Sequence, residues 1–456
     1  MLNLRLSEIA LWTHGTLHGA DAQTRGVSTD SRKLAPGELF VAIKGERHDG
    51  HDHLPQAAER GAAGALVSRR SDAALPQVVV ADTVLALGDL ASAVRAQRRA
   101  RVVGITGSNG KTTVKTLAVS ILQRHGRTHG NAGNFNNEIG LPLSLLAMPE
   151  DAQYAVIEMG AGKPGDIAYL AAIARPEVGL VNNIAPAHIE RMGSLEGVAE
   201  TKGALYQALP ADGTAVINAD DSFADFFTGL VGARRVLRFG FENTADMQAG
   251  AIEMRPDGST FNLITPGNSR RVRLPLPGRH NIANALAAAA LAHALDVPLP
   301  TIVAGLENAN AVGGRLQRRK ATGGWHVIDD SYNANPGSTA AAIATLALQP
   351  DERWLVLGDM AELGANAAAL HAQIGEQARD AGIDKLFAVG TLSAHAARAF
   401  GNGARHFDTQ AKLIAALREA LHPGVTVLVK GSRSSTMERV VAGLLDGNGG
   451  GARHAA

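Results

Sequence analysis

Apolar residues along this chain cluster in short runs separated by longer amphipathic stretches. The runs Val78-Val79-Val80, Val102-Val103-Gly104-Ile105, Ala155-Val156-Ile157, Val178-Gly179-Leu180-Val181 and Ala215-Val216-Ile217 are β-branched and strand-sized. Segments of helical length divide most of them, which predicts βα units around a largely parallel sheet. A second series opens near Trp325 with His326-Val327-Ile328. It continues through Trp354-Leu355-Val356-Leu357, Leu386-Phe387-Ala388-Val389 and Val425-Thr426-Val427-Leu428-Val429. Between the two series, a helical, glycine-poor stretch runs from Asn281 to about Asn310 and closes in Val312-Gly313-Gly314. The first eighty residues differ, because Thr29-Asp30-Ser31-Arg32 is followed by a Pro36-Gly37 turn that feeds a strand over 38–43. The pattern therefore predicts an α/β protein of three domains: a small α/β unit over 1–83, a central mainly parallel unit over 84–312, and a third α/β unit over 313–456. The glycine-rich tail from about Asp446 is expected to be disordered.

Composition supports this division. The chain has 456 residues, about three domains at roughly 150 residues each. With 45% hydrophobic and 19% charged residues, there is ample material for sizeable cores, which excludes disorder of the whole chain. Fifty-one glycines and only 4% aromatics suit many tight strand-to-helix turns. Lys plus Arg number 44 against 43 Asp plus Glu, a net charge of +1. No general pull toward nucleic acid or membrane follows, so any phosphate site must be local. The absence of cysteine excludes disulfides, thiolate nucleophiles and cysteine-ligated metals. The N-terminus has no basic segment leading into an apolar one, and the most apolar helical stretch, 283–295, is too short to span a bilayer. The expectation is a cytoplasmic protein without membrane insertion.

The strongest chemical signal is the strand Val102-Val103-Gly104-Ile105 running into Thr106-Gly107-Ser108-Asn109-Gly110-Lys111-Thr112-Thr113. Backbone N–H groups of such a turn, together with the helix that follows, can cradle phosphates. Lys111 would meet the β- and γ-phosphates, and the Thr112 hydroxyl would ligate Mg²⁺. The spacing departs from the general phosphate-loop pattern, since Ile105 stands where its first glycine belongs. Nucleoside triphosphate binding is nevertheless the expectation, with Gly107, Ser108, Asn109, Gly110, Lys111, Thr112 and Thr113 as contacts.

Other candidates sit at strand ends, where parallel sheets bind ligands. Glu158 ends an apolar strand beside Gly160 and is either a Mg²⁺ ligand or a solvated loop carboxylate. His188 follows another strand, and a lone histidine there is equally an ordinary one. Lys202 falls within the apolar stripe Val198, Leu205, Leu209 of a helix predicted over 195–209, with Ser194 as its cap. Pattern alone favours a lysine snorkelling from the stripe edge. The alternative is a buried amine of lowered pKa that could form a carbamate with CO₂ and serve as a metal ligand. The loops at Asp329–Pro336, Asp359–Gly364 and Lys430–Arg433 each end a strand of the third unit, and together suggest a ligand face.

These motifs, taken in order, resemble the Mur ligase family of ATP-dependent amide-bond ligases in peptidoglycan synthesis. The resemblance runs from Ser28-Thr29-Asp30-Ser31-Arg32 to Lys430-Gly431-Ser432-Arg433. The shortened phosphate loop is the family's own, which accounts for the departure at Ile105. Asn134–Gly140, Glu158-Met159-Gly160, His188–Gly193, Glu200-Thr201-Lys202, Gly278–Asn284, Gly314-Arg315 and Asp329–Pro336 follow in family order. The resemblance implies a first domain holding the UDP end of a substrate, a central ATPase domain of the phosphate-loop type, and a Rossmann-like C-terminal domain that closes over both.

It further implies roles residue by residue. Lys111 contacts phosphates, Thr112 and Glu158 serve Mg²⁺, and His188 is a ligand of a second Mg²⁺. Lys202 matches the family's carbamylated lysine, which reverses the reading from pattern. Asn281 and Asn284 match an adenine-side motif, Arg315 a γ-phosphate contact, Asp330 a ribose contact, and Ser31 with Arg32 the uridine region. Lys111, Lys202, His188 and Arg315 form the implied catalytic set. Asp-Ser-Tyr-Asn-Ala-Asn-Pro at 330–336 and Gly-Asp-Met-Ala-Glu-Leu-Gly at 358–364 are features of the branch that adds D-Ala-D-Ala to UDP-MurNAc-tripeptide. The substrates implied are ATP and that pair, and a monomer is expected. The alternatives are a branch adding a single amino acid, or a catalytically silent nucleotide-binding scaffold.

Overall fold

The structure, a computed structural model, describes residues 3–186 and 189–445. The expected ligand His188 and the tail from 446 onward lie outside the described residues.

Continuous apolar strands can be buried on both faces, and the central sheet uses them that way. Its nine strands run in the order Asn268–Leu274, Gly258–Thr265, Met247–Arg255, Arg235–Gly240, Thr214–Asn218, Val178–Val181, Arg101–Thr106, Tyr154–Glu158 and Thr128–Gly130. Pairing is parallel from Thr128–Gly130 as far as Met247, and antiparallel in the final hairpins. Helices Lys111–Leu122 and Arg279–Ala294 cover one face. The second of these is buried on nearly every side, and its alanine run lets it lie close against its neighbours. Helices Thr83–Ala96, Gly140–Leu146 and Asp166–Ala174 cover the other face. The antiparallel extension over 247–274 was not expected from the pattern. Its last strand, Asn-Ser-Arg-Arg-Val-Arg-Leu, buries only Val272 and Leu274, so it carries almost no apolar signal.

The N-terminal sheet orders its strands Thr16–His18, Gln77–Val79, Gly64–Val67, Leu39–Val41 and Val27–Ser28, all parallel except the first. Asp82 caps the helix Thr83–Ala96 by accepting from Val84 N–H (2.7 Å) and Leu85 N–H (3.0 Å). The apolar face of that helix joins residues of the N-terminal unit and of the central sheet in one core, which fixes the two units against each other.

The C-terminal sheet orders Gln317–Lys320, His326–Asp330, Val425–Lys430, Glu352–Gly358, Lys385–Val389 and Ala404–Phe407, antiparallel only at its first strand. Cores lie on both of its faces. The carboxyl ends Glu158, Asp330 and Lys430 line one common cleft.

Candidate active site

The cleft encloses about 940 Å³ and draws on all three units: Glu46 from the first, the phosphate loop from the second, Arg315 and Lys430 from the third. At its base the strand Arg101–Thr106 delivers the loop. Gly107 (φ +146°) and Gly110 (φ +80°) take backbone angles that side chains with a Cβ resist. Gly110 then caps the helix Lys111–Leu122. The loop is pinned from the adjacent strand end. Ser108 N–H donates to Asn183 O (2.9 Å), Asn109 N–H to Asn183 Oδ1 (2.9 Å), and Asn182 Nδ2 to Asn109 O (2.9 Å). Asn182 Nδ2 also donates to Asn284 Oδ1 (3.0 Å), and Asn284 Nδ2 donates to Asn281 Oδ1 (3.3 Å). Asn281 and Asn284, the pair expected on the adenine side, therefore both line the cleft, and Asn284 braces the phosphate loop through Asn182.

Lys111 Nζ donates to Gly107 O (2.7 Å). Burial pushes its pKa down, Glu158 opposes that and Arg315 adds to it. Glu158 is 2% exposed and its Oε1 accepts from Asn136 Nδ2 (2.8 Å). Its Oε2 stands 3.2 Å from Lys115 Nζ without forming a hydrogen bond. Burial works to raise this carboxyl, but Lys111, Lys115 and Asn136 together hold it below the usual range. Lys115 also donates to Asn131 O (3.0 Å) and Gly133 O (2.8 Å). It was missed from the sequence, although it stands one helical turn after Lys111 on the same face.

Lys202, on the helix Leu195–Gln207, is 2% exposed, so the snorkelling lysine expected from pattern is not what folds. Its amine makes no hydrogen bond or ion pair among the described residues. Burial first, and Lys111 second, lower its pKa to about 7.

From the third unit, Arg315 Nη2 donates to Thr112 Oγ1 (3.0 Å), and Asn335 Nδ2 donates to Asn109 Oδ1 (2.7 Å). Asp330 lines the cleft, but its carboxylate is engaged: Oδ2 accepts from Lys430 Nζ (2.5 Å) and Oδ1 from Leu316 N–H (3.2 Å). Ser31 and Arg32 do not line this cleft. Ser31 Oγ donates to Gln56 Oε1 (2.6 Å), and the exposed Arg32 pairs with Asp30 (2.9 Å).

Mg²⁺ prefers hard oxygen ligands and is usually held by one or two carboxylates plus substrate phosphates. The Thr112 hydroxyl and Glu158 Oε2, which faces Lys115 Nζ at 3.2 Å and has no hydrogen-bond partner, fit that demand. No group of three or more His, Cys, Asp or Glu side chains that could hold a metal occurs among the described residues.

Comparison with known proteins agrees with this architecture. Three family models match: "Mur ligase family, catalytic domain" over 23–103, "Mur ligase middle domain" over 105–292 and "Mur ligase, glutamate ligase domain" over 314–433. The UDP-N-acetylmuramoyl-tripeptide--D-alanyl-D-alanine ligase of Escherichia coli is 48% identical over 448 residues, 97% of this chain and 99% of the relative. That of Bacillus subtilis is 34% identical over 98% of this chain and 99% of its own length. A crystal structure of MurF from Acinetobacter baumannii superposes with a TM-score of 0.92 at 35% identity, covering 98% of this chain and 100% of that one. The crystal structure of a MurF ligase from Thermotoga maritima in complex with ADP superposes with a TM-score of 0.83 at 29% identity, covering 92% of this chain and 97% of that one. With its three family domains in order and one relative matched over nearly its whole length, this chain belongs to the Mur ligase family.

Proposed function

We propose that this protein is an ATP-dependent ligase joining D-Ala-D-Ala to UDP-MurNAc-tripeptide, with UDP-MurNAc-pentapeptide, ADP and phosphate as products. The carrying observation is that Arg315 of the third unit meets Thr112 of the phosphate loop at 3.0 Å, in a chain 48% identical to the E. coli enzyme of that name. The tripeptide's terminal carboxylate attacks the γ-phosphorus of ATP, giving an acyl phosphate and ADP. The amine of D-Ala-D-Ala then adds to the activated carbonyl, loses a proton, and expels phosphate from the tetrahedral intermediate.

The main electrostatic obstacle is an anionic carboxylate approaching an anionic triphosphate. Lys111 of the phosphate loop and Arg315 of the third unit, both lining the cleft, offset it. Mg²⁺, when bound, neutralises phosphate charge and orients the γ-phosphoryl group; Thr112 and Glu158 would hold it, with His188 and carbamylated Lys202 serving a second ion. A neutral Lys202 amine adds to CO₂, forming an N–C bond and releasing one proton, and so becomes an anionic oxygen ligand. Closure of the third unit keeps water from the acyl phosphate. Asn281 and Asn284 flank the adenine, Asp330 the ribose, and Ser31 with Arg32 the uridine end. The protein works as a monomer in the cytoplasm, where nucleotide-linked precursors and ATP are available. No described helix is long and apolar enough to cross a membrane.

The test is phosphate release from the purified protein with ATP, Mg²⁺, UDP-MurNAc-tripeptide and D-Ala-D-Ala, omitting each in turn. Release that needs all four, with a pentapeptide product, is expected. If a single amino acid replaces D-Ala-D-Ala, the assignment to this branch fails.

A further inference from the structure

Arg315 stands on an unusual turn. Gly314 has φ +71° and Leu316 φ +50°, so the residues on either side of the arginine are left-handed, and Leu316 is not a residue that favours this. Contacts from the end of the strand His326–Asp330 and from the loop after it hold the turn. Leu316 N–H donates to Asp330 Oδ1 (3.2 Å), and Tyr332 N–H donates to Gly314 O (3.1 Å). The Tyr332 ring then lies against the guanidinium itself, with Arg315 Cζ 4.3 Å from the ring centroid. Arg433 Cζ lies 6.0 Å from the same centroid.

The guanidinium needs that platform. Its Nη2 is spent on Thr112 (3.0 Å), while its Nε is buried with no acceptor. A buried donor on a charged group is costly unless the charge is stabilised otherwise, and an aromatic face does so through its quadrupole. The Tyr332 hydroxyl makes no hydrogen bond among the described residues, so the ring and not the hydroxyl does this work.

We propose that Tyr332 is a positioning residue: its ring aims the Arg315 guanidinium at the phosphate loop and so governs the phosphoryl-transfer step. This rests on the reading of Arg315 as a γ-phosphate contact. Tyr332 lines the cleft, and the influence proposed for it passes through the guanidinium that its ring lies against.

The experiment compares Tyr332→Phe, Tyr332→Leu, Arg315→Ala and the double variant Tyr332→Leu/Arg315→Ala in the full-length enzyme. Tyr332→Leu is expected to lower kcat about tenfold while KM for ATP stays within about twofold. Tyr332→Phe keeps the ring face and is expected to retain kcat within about twofold. The double variant is expected to be no slower than Arg315→Ala, because the platform has nothing left to aim. If Arg315→Ala is slow but Tyr332→Leu is not, the proposal is overturned and the reading of Arg315 stands. Equal losses in the Phe and Leu variants, or additive losses in the double variant, also overturn it, because they mark a general structural role. If Arg315→Ala itself leaves kcat unchanged, the reading of Arg315 falls and the proposal falls with it.

Discussion

Lys202 shows what burial does to a single residue. An ammonium group 2% exposed and without a partner loses hydration that nothing replaces, so the neutral amine is favoured and the pKa falls to about 7. A neutral amine at physiological pH is the form that reacts with CO₂. Lys202→Ala is therefore expected to abolish most phosphate release, and short carboxylates such as acetate or propionate are expected to restore part of it. Absence of rescue, together with an unmodified lysine by mass spectrometry of the intact enzyme, would reject the carbamate. In the region proposed to hold the uridine end, Ser31 is buried and bonded to Gln56, whereas Arg32 is exposed. Ser31→Ala is expected to raise the KM for the UDP substrate and leave that for ATP unchanged; a change confined to ATP would remove this region from the uridine site.

At the scale of elements, the site depends on how chain segments are pinned. Gly110 ends the phosphate loop at φ +80°, and a Cβ there would run into the Asn284 and Asn182 side chains. Gly110→Ala thus adds backbone strain of about 1–2 kcal/mol to a clash with the pair that pins the loop. ATP affinity, measured by calorimetry, is expected to fall steeply while the rest of the fold survives. His371 does comparable work in the third unit. It is fully buried, its Nε2 accepts from Met360 N–H (2.9 Å), and its Nδ1–H donates to Ala367 O (2.7 Å). This ties the loop after the strand Glu352–Gly358 to the helix Ala367–Asp380. Burial holds its pKa below the ordinary 6.5, so the unfolded chain binds the proton more readily. The stability it contributes is complete above about pH 6.5 and is lost as pH falls through the folded pKa. His371→Gln is expected to cost on the order of 1–3 kcal/mol at pH 7.5. Denaturant titrations should show that gap narrowing by pH 5.5, and a gap that does not change with pH would contradict the assignment.

At the scale of the whole molecule, two side-chain hydrogen bonds among the described residues join the third unit to the phosphate loop: Arg315 to Thr112 and Asn335 to Asn109. If closure completes the site, Arg315→Ala should lower turnover by about 100-fold while ATP binding changes far less. Equal losses in both would mean ordinary ground-state binding.

Much of this was legible beforehand, for a local reason. A strand, a glycine turn and Lys-Thr-Thr lie within a dozen residues, so the geometry of 102–113 is set by backbone preferences that neighbours in sequence impose. The same holds for Ser194, which caps its helix by accepting from Gly197 N–H (3.2 Å). The apolar runs determined the parallel sheets because continuous burial on both faces demands them. The hairpins over 247–274 stayed hidden because a half-exposed edge strand rich in arginine has no apolar period to detect. Tertiary structure alone decided the rest. Whether Lys202 is buried or snorkels depends on which face of its helix meets the sheet, and pattern cannot distinguish the centre of a stripe from its margin. Lys115 meets Glu158 across 43 positions, and Arg315 meets Thr112 across 203, where no local preference acts. Such pairs form only when separate cores have packed, since the free energy that holds them together is spent on burying apolar faces rather than on the contacts themselves.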